Sequence, residues 1–222
     1  MNINELNRES YNAIAGQFSA TRNYLWPDLQ GLFDLIKKGD SVLDVGCGNG
    51  RLLDALKEKD VQYLGLDFSE QLIAQARAKY PDNEFRVADL TVEVKLPKQY
   101  DAVFLVAVLN HFDVEHQDFV MRQVNSFLKP GGLLLMTNWN LWNILSKKSV
   151  WQAEKLADGV KTVWRSGSVK ATLYYYPFTK RRISRLLTRN GFEIVQNFYS
   201  RRGSKSNIFL AQNIVTVAKK IN

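Results

Sequence analysis

The stretch Val42–Leu53, VLDVGCGNGRLL, sets a carboxylate at Asp44 and glycines at Gly46, Gly48 and Gly50 just ahead of an apolar pattern of helical spacing. A strand that feeds a glycine loop and then a helix aims the N–H groups of the helix start at whatever lies against the loop. Glycine also removes the Cβ that would hold a ligand off. Asp67 follows Gly46 by 21 residues, at the end of the next apolar run. There a carboxylate accepts hydrogen bonds from ribose hydroxyls, so a nucleoside-containing cofactor is expected. The glycine spacing is G-x-G-x-G rather than the G-x-G-x-x-G of pyrophosphate-binding dinucleotide folds, which argues against NAD.

Other chemistry is thinly represented. Cys47 is the only cysteine and no basic residue adjoins it, so it reads as a small buried loop residue rather than a nucleophile. One cysteine also makes no disulfide framework. His111 and His116 stand five apart without a cysteine cluster, and no metal site is expected.

The elements that position these residues follow from hydrophobic periodicity. SVLDV, VQYLGLD, EFRVAD, YDAVFLVAV and LLLMTNW are strand candidates, separated by the helical patterns GRLLDALKEK, SEQLIAQARAKY and EHQDFVMRQVNSFL. Such alternation predicts a parallel sheet covered by helices. Two helices, INELNRESYNAIAGQF and WPDLQGLFDLIKK, precede it. Between Pro130 and Gly132 the LKPGGLL segment predicts a turn. TKRRISRLLTRNGF predicts a helix with Thr179 as N-cap and Gly191 as its stop. EIVQNFYS and FLAQNIVTVAKK then form an antiparallel closing pair joined by the polar loop RRGSKSN. One domain is expected over 1–222: a helical cap (1–38), a cofactor-binding core (41–140), a substrate-side insertion that breaks the rhythm (141–178), and a closing helix and strands (179–222).

Of the 222 residues, 45% are hydrophobic and 23% charged, as in ordinary globular domains. The longest apolar run, Ala102–Leu109, is far short of the roughly 20 residues that span a bilayer. No signal-peptide pattern opens the chain, so a cytoplasmic location without membrane attachment is expected. Charge is unevenly placed: residues 1–144 hold 14 Lys and Arg against 19 Asp and Glu, and residues 145–222 hold 16 against 3. The whole of the +8 net charge therefore resides in the C-terminal third.

LDVGCGNG, GLDFS, VADL, YDAVFLVAVLNHF and LKPGGLLLMTNW occur in the order of the motifs of the class I S-adenosylmethionine-dependent methyltransferases, which the chain resembles over nearly its whole length. The resemblance implies an α/β, Rossmann-like fold with a seven-stranded, mostly parallel sheet whose last strand is antiparallel, and S-adenosyl-L-methionine as cofactor. It implies that Asp44 organises the loop near the methionine end, that Gly46 and Gly48 lie along the cofactor, and that Asp67 holds the ribose. Phe68 would lie beside the adenine, and Asp89 would meet its exocyclic amine between Ala88 and Leu90. Cys47 and Val106 complete the cofactor set, with Arg22 as ion partner of the methionine carboxylate.

YNAIAGQFSATRNYLWPDL narrows the resemblance to the tRNA wobble-uridine methyltransferases that esterify a carboxymethyl group. NHF matches that family at His111 and departs from it at Asn110; LYYYPFTKRRISRLL departs at Leu173 and Tyr176. Asn110, His111 and Tyr11 are the candidate catalytic residues. His111 either accepts a proton from a hydroxyl or amine or, for a carboxylate nucleophile, orients the substrate. Tyr11 would cap the cofactor and exclude water.

An anionic substrate suits the basic third. Arg181, Arg182, Arg185 and Arg189 share a helix face, Arg201, Arg202 and Lys205 share a loop, and Trp164, Tyr174, Tyr175 and Tyr176 offer stacking surfaces. RNA is therefore the favoured partner, with an acidic small molecule and a protein side chain as alternatives. A non-catalytic paralogue that binds cofactor or RNA is the reading of another class, and the intact DVGCGNG with Asp67 speaks against it. An activating protein partner stays open.

Overall fold

The computed structural model describes residues 2–21, 25–143, 154–166 and 168–221. Helix α1 (Ile3–Ala20) is capped by Asn2, whose side chain accepts from Glu5 N. The second expected helix is shorter than its pattern: a 3-10 turn, Pro27–Leu29, runs into α2 (Gln30–Phe33). Asp40 captures Lys37 N at 2.8 Å and Gly39 turns at φ +82, which leads the chain out of the helix and into β1 (Ser41–Val45).

Next come α3 (Leu53–Leu56), β2 (Gln62–Asp67), α4 (Glu70–Lys79), β3 (Glu84–Val87), β4 (Tyr100–Val106), α5 (Val114–Phe127) and β5 (Leu128–Trp139). The LKPGG turn lies inside β5: its register against β4 steps from Tyr100↔Leu128 to Ala102↔Leu133, and the extra residues bulge out. The expected insertion contains β6 (Glu154–Lys155), β7 (Val160–Ser166) and β8 (Val169–Tyr175), a separate antiparallel sheet. The chain closes with α6 (Lys180–Arg189), β9 (Phe192–Arg201), β10 (Ser204–Ser206) and β11 (Asn213–Lys220).

The main sheet has the order β10-β9-β11-β5-β4-β1-β2-β3. β1, β2, β3, β4 and β5 run parallel, while β11 lies antiparallel to both β5 and β9, which makes β9 parallel to β5. This is the expected doubly wound sheet with one correction: eight strands rather than seven. The eighth, β10, folds back on β9 through Arg202 and Gly203, both at positive φ, within the segment expected to be an open loop. Thr179 caps α6 by accepting from Arg182 N, and Gly191 at φ +81 ends it, as expected.

Residues of α5 and α6 pack on one face of the sheet, those of α2, α3 and α4 on the other. Strand order reverses between β1 and β4, so a crevice opens at the carboxyl ends of these strands. Helix α1 crosses it and docks on β8: Asn7 Oδ1 accepts from Tyr174 N at 2.8 Å, and Ser10 Oγ donates to Thr172 O at 2.6 Å. Side chains thus stand in for the strand that would otherwise complete the edge of β8. No described helix is long and apolar enough to cross a membrane.

Asn7 is fully buried, and Asn7→Ala leaves Tyr174 N without its acceptor. The expected cost is about 1–3 kcal/mol in urea unfolding, with faster amide exchange throughout α1. Unchanged exchange in α1 would show that the helix is held by its apolar contacts instead.

Candidate functional site

The crevice is a cavity of about 1070 Å³, counting its open mouth. Its floor is the glycine loop. Gly46 N and Cys47 N both donate to Leu66 O, at 2.7 and 2.9 Å, tying the loop to the end of β2. Gly46 has φ +72, and a Cβ there would lie 2.2 Å from Val108 Cγ2. Gly48, at φ +56, has only Phe18 within 4 Å of its Cβ position, so its bare backbone faces the cavity.

Asp67 is aimed by backbone donors: Oδ2 accepts from Gly48 N at 2.8 Å and Oδ1 from Ser69 N at 2.9 Å. Burial lifts its pKa to about 6, against the N–H groups of Ser69, Gly48 and Phe68 that hold it down. Phe68, Leu72, Ala88, Leu90 and Val106 make the apolar wall beside it. Asp89 closes the far end, with Oδ1 accepting from Thr91 N and Oγ1 at 2.8 and 2.7 Å and Oδ2 from Asn4 Nδ2 at 2.5 Å. A carboxylate able to accept from a diol, an apolar slot and a second carboxylate beyond it fit a nucleoside.

Tyr11 and His111 occupy the other half. His111 Nδ1 lies 3.0 Å from Tyr174 O, an acceptor only, so Nδ1 carries the proton. Nε2 then accepts from Tyr11 Oη at 3.0 Å. Burial lowers the His111 pKa to about 4, and the bond to Tyr174 O only partly offsets it. Around this pair stand Phe18, Trp26, Trp139, Trp164, Leu173 and Tyr175. Trp139 and Tyr175 stack at 5.7 Å and 26°. Arg51 Cζ lies 4.6 Å from the Trp26 ring centre and is the one Lys or Arg among the described wall residues.

Two of the expected site residues, Asp44 and Asn110, are not on this wall. Asp44 lies beneath the loop, its Oδ2 accepting from Tyr63 Oη at 2.8 Å, with burial raising its pKa to about 7. Asn110 is fully buried and serves as a surrogate backbone rather than reaching the cavity. Its Oδ1 accepts from Trp139 N at 2.9 Å, and its Nδ2 donates to Trp139 O and Tyr176 O at 3.3 and 3.0 Å. Arg22 lies outside the described residues. Gly46, Cys47, Gly48, Asp67, Phe68, Ala88, Asp89, Leu90, Val106, Tyr11 and His111 all line the one cavity.

The aromatic and basic candidates divide. Trp164 and Tyr175 reach the cavity, whereas Tyr174 and Tyr176 are buried in the core, because alternate residues of a strand face opposite ways. On α6, Arg189 is held by Asp118 through Nε–Oδ1 at 2.6 Å and Nη2–Oδ2 at 2.5 Å, which removes it from a free basic face. Sequence reasoning misses Asn4 and Asn7; their signal is a polar row at 4, 7 and 11 on one face of α1. Trp26 and Trp139 give no local signal, since only the fold brings them within 6.4 Å.

Residues 18–197 match a family profile described as a methyltransferase domain. The tRNA (carboxymethyluridine(34)-5-O)-methyltransferase of Arabidopsis thaliana is 32% identical over 162 residues, 72% of this chain and 36% of that protein. The Saccharomyces cerevisiae protein of the same name is 36% identical over 135 residues, 59% of this chain and 47% of that one. The chain therefore spans less than half the length of either relative. A chain of a Haloferax volcanii complex that contains the Trm112 methyltransferase activator shares the fold, with a TM-score of 0.72 at 18% identity over 97% of each chain.

The folded pKa values of Asp44 and Asp67 lie above the ordinary 3.8, so the native state binds more protons than the unfolded chain between about pH 4 and 7. Each group then contributes stability at low pH that is lost as pH rises through its folded pKa. His111, depressed from 6.5 to about 4, acts in the opposite sense. Asp44→Asn removes one of the three, and its stability should gain on that of the wild type steadily from pH 4.5 to 7.5, by on the order of a few kcal/mol. Urea titrations across this range measure it; parallel curves for the two proteins would contradict the assignment.

Proposed function

The chain belongs to the class I S-adenosylmethionine-dependent methyltransferases, and on that premise we propose that its acceptor is a carboxylate carried by a planar base in RNA, as in a carboxymethylated wobble uridine of tRNA. The observation that carries this reading is the state of His111. Its Nε2 is a neutral acceptor already engaged by Tyr11, and its pKa near 4 makes it a feeble base at neutral pH. A hydroxyl or amine nucleophile needs a base matched to the working pH; a carboxylate arrives deprotonated. The relatives of Arabidopsis thaliana and Saccharomyces cerevisiae named above carry this activity in their names.

The cofactor, when bound, supplies a methyl group on a positively charged sulfur. The chain's own residues hold and align. In this reading Asp67 and Asp89 fix the nucleoside, Tyr11 and α1 cover it from water, and Trp139 with Tyr175 offer a flat surface to the acceptor base. Arg51, propped on Trp26, places positive charge on the acceptor wall; Arg22 remains the proposed partner of the methionine carboxylate. An activating subunit, as in the Haloferax volcanii complex, belongs to the same proposal. A single cation on the described wall also suits a small aromatic acid, which the same assay tests.

Labelled methyl transfer from S-adenosylmethionine is offered to bulk tRNA and to a small-molecule extract, with and without an activator subunit. The expected label enters tRNA and is released by mild alkali, as an ester requires. His111→Asn should lower the single-turnover rate by less than about tenfold, whereas a general base would be worth roughly 10²–10⁴. Label confined to the extract, or alkali-stable label in tRNA, would reject the carboxylate-in-RNA reading.

A further inference from the structure

We infer that the β9–β10 hairpin is a phosphate-docking element for the RNA strand, held beside the cavity mouth by Asp28; the inference rests on the RNA reading above. The turn joining the two strands has Arg202 at φ 51 and Gly203 at φ 85. Two successive left-handed residues are what a two-residue hairpin loop requires, and asparagine followed by glycine is the pair such a turn prefers. Arg202 takes the strained first position, where its Cβ is disfavoured. Nothing in the turn's own geometry asks for arginine, so the use of the residue lies in its exposed side chain.

The tip is clamped. Asp28, buried in the Pro27–Leu29 turn, accepts from Ser200 Oγ, from Gly203 N at 2.8 Å and from Asn213 Nδ2 at 2.6 Å. A Cβ on Gly203 would lie 3.0 Å from Pro27 O, so the hairpin rests directly on the residue that follows Trp26, a wall of the cavity. Because β9 runs parallel to β5, its last residue, Arg201, emerges at the carboxyl edge of the sheet where the cavity opens. One buried carboxylate from the N-terminal segment thus fixes a basic tip against the mouth of the site.

Charge identifies the occupant. Arg201, Arg202 and Lys205 are exposed, and none of the three has an ion-pair partner among the described residues. The acid of β9, Glu193, sits at the opposite end of the strand, in register with Lys219. On α6, by contrast, Arg189 is bound to Asp118 and Arg182 covers the Tyr176 ring at 4.7 Å. The hairpin lies outside the cavity, so an acceptor small enough to fit inside does not engage it. A base drawn in from a polynucleotide brings phosphates to the rim, and cations there offset them.

The test uses the full chain, with its activator if activity requires one, in two variants: the double change Arg201→Gln and Arg202→Gln, and the single change Arg202→Asn. The second suits the turn, so its thermal stability should equal or exceed that of the wild type. Both should keep the wild-type affinity for S-adenosylhomocysteine. For a tRNA anticodon stem-loop, KM should rise about tenfold in the double variant with kcat little changed, and the log–log salt slope of binding should flatten by roughly 0.7 for each phosphate that is no longer engaged. If the wild type methylates the stem-loop and the variants match it in KM and salt slope, the hairpin assignment is overturned while the RNA reading stands. If the wild type neither binds nor methylates the stem-loop, both fall together.

Discussion

The closure of the glycine loop on the end of β2 is the constraint from which the site is built. Leu66 O receives both Gly46 N and Cys47 N, and Asp67, the next residue of β2, reaches back to Gly48 N. The loop and the carboxylate orient each other, so neither needs a ligand to be in place. The same loop reaches the acceptor side through the missing Cβ of Gly46. Val108 Cγ2 occupies that space, and Val108 begins the turn Leu109–His111. Any side chain at position 46 would push this turn, and with it His111, away from the cavity.

Burial of charge at this floor has a cost that the surroundings only partly offset. Asp44 has Tyr63 Oη, and Asp67 has the N–H groups of Ser69, Gly48 and Phe68, yet burial still lifts both carboxyls well above the usual range. His111 shows the opposite solution in the same cavity. It avoids the burial cost by staying neutral, with Tyr174 O fixing which nitrogen holds the proton. In the proposed reading its contribution is a directed lone pair, which orients Tyr11 rather than moving protons.

Local pattern carries most of the scaffold. Apolar-rich runs locate β1, β2 and β4, and Thr179 and Gly191 mark both ends of α6, because these signals are local by nature. The cavity wall is legible for the same reason: Gly46, Gly48, Asp67 and Asp89 all sit at or just beyond strand ends within short motifs. What the sequence hides depends on distance along the chain. Asn110 and His111 are neighbours in one motif, yet the sheet turns one into the core and the other into the cavity, a difference set by Trp139 and Tyr176. The sheet of β6, β7 and β8 has a strand period, but its partner, α1, lies more than a hundred residues away. Arg189 reads as a free cation on its helix, and only the fold brings Asp118 beside it.

The transfer proposed above needs no strong base and so depends on alignment, which suits a chain in which several polar side chains bond backbone rather than solvent. Asn7 and Ser10 attach α1 to β8, Asn110 attaches the end of β5 to Tyr176, and Asp28 attaches the hairpin to Pro27–Leu29. Each replaces a missing piece of secondary structure with one directed side chain, and Asn7, Ser10 and Asn110 fix elements that carry residues of the cavity wall. Ala107, at φ 58, adds a strained residue where β4 enters the acceptor wall. In the proposed reading, attachment at these points lets the aromatic wall hold a flat acceptor beside the cofactor, because the ordering entropy is spent on folding rather than on each encounter. Apart from Arg51 on the described wall, the exposed cations of the hairpin stay outside the cavity, where, in the proposed reading, they would steer an anionic polymer without being buried. The low-dielectric interior is thereby reserved for the two carboxylates and the neutral imidazole, whose states depend on keeping water out.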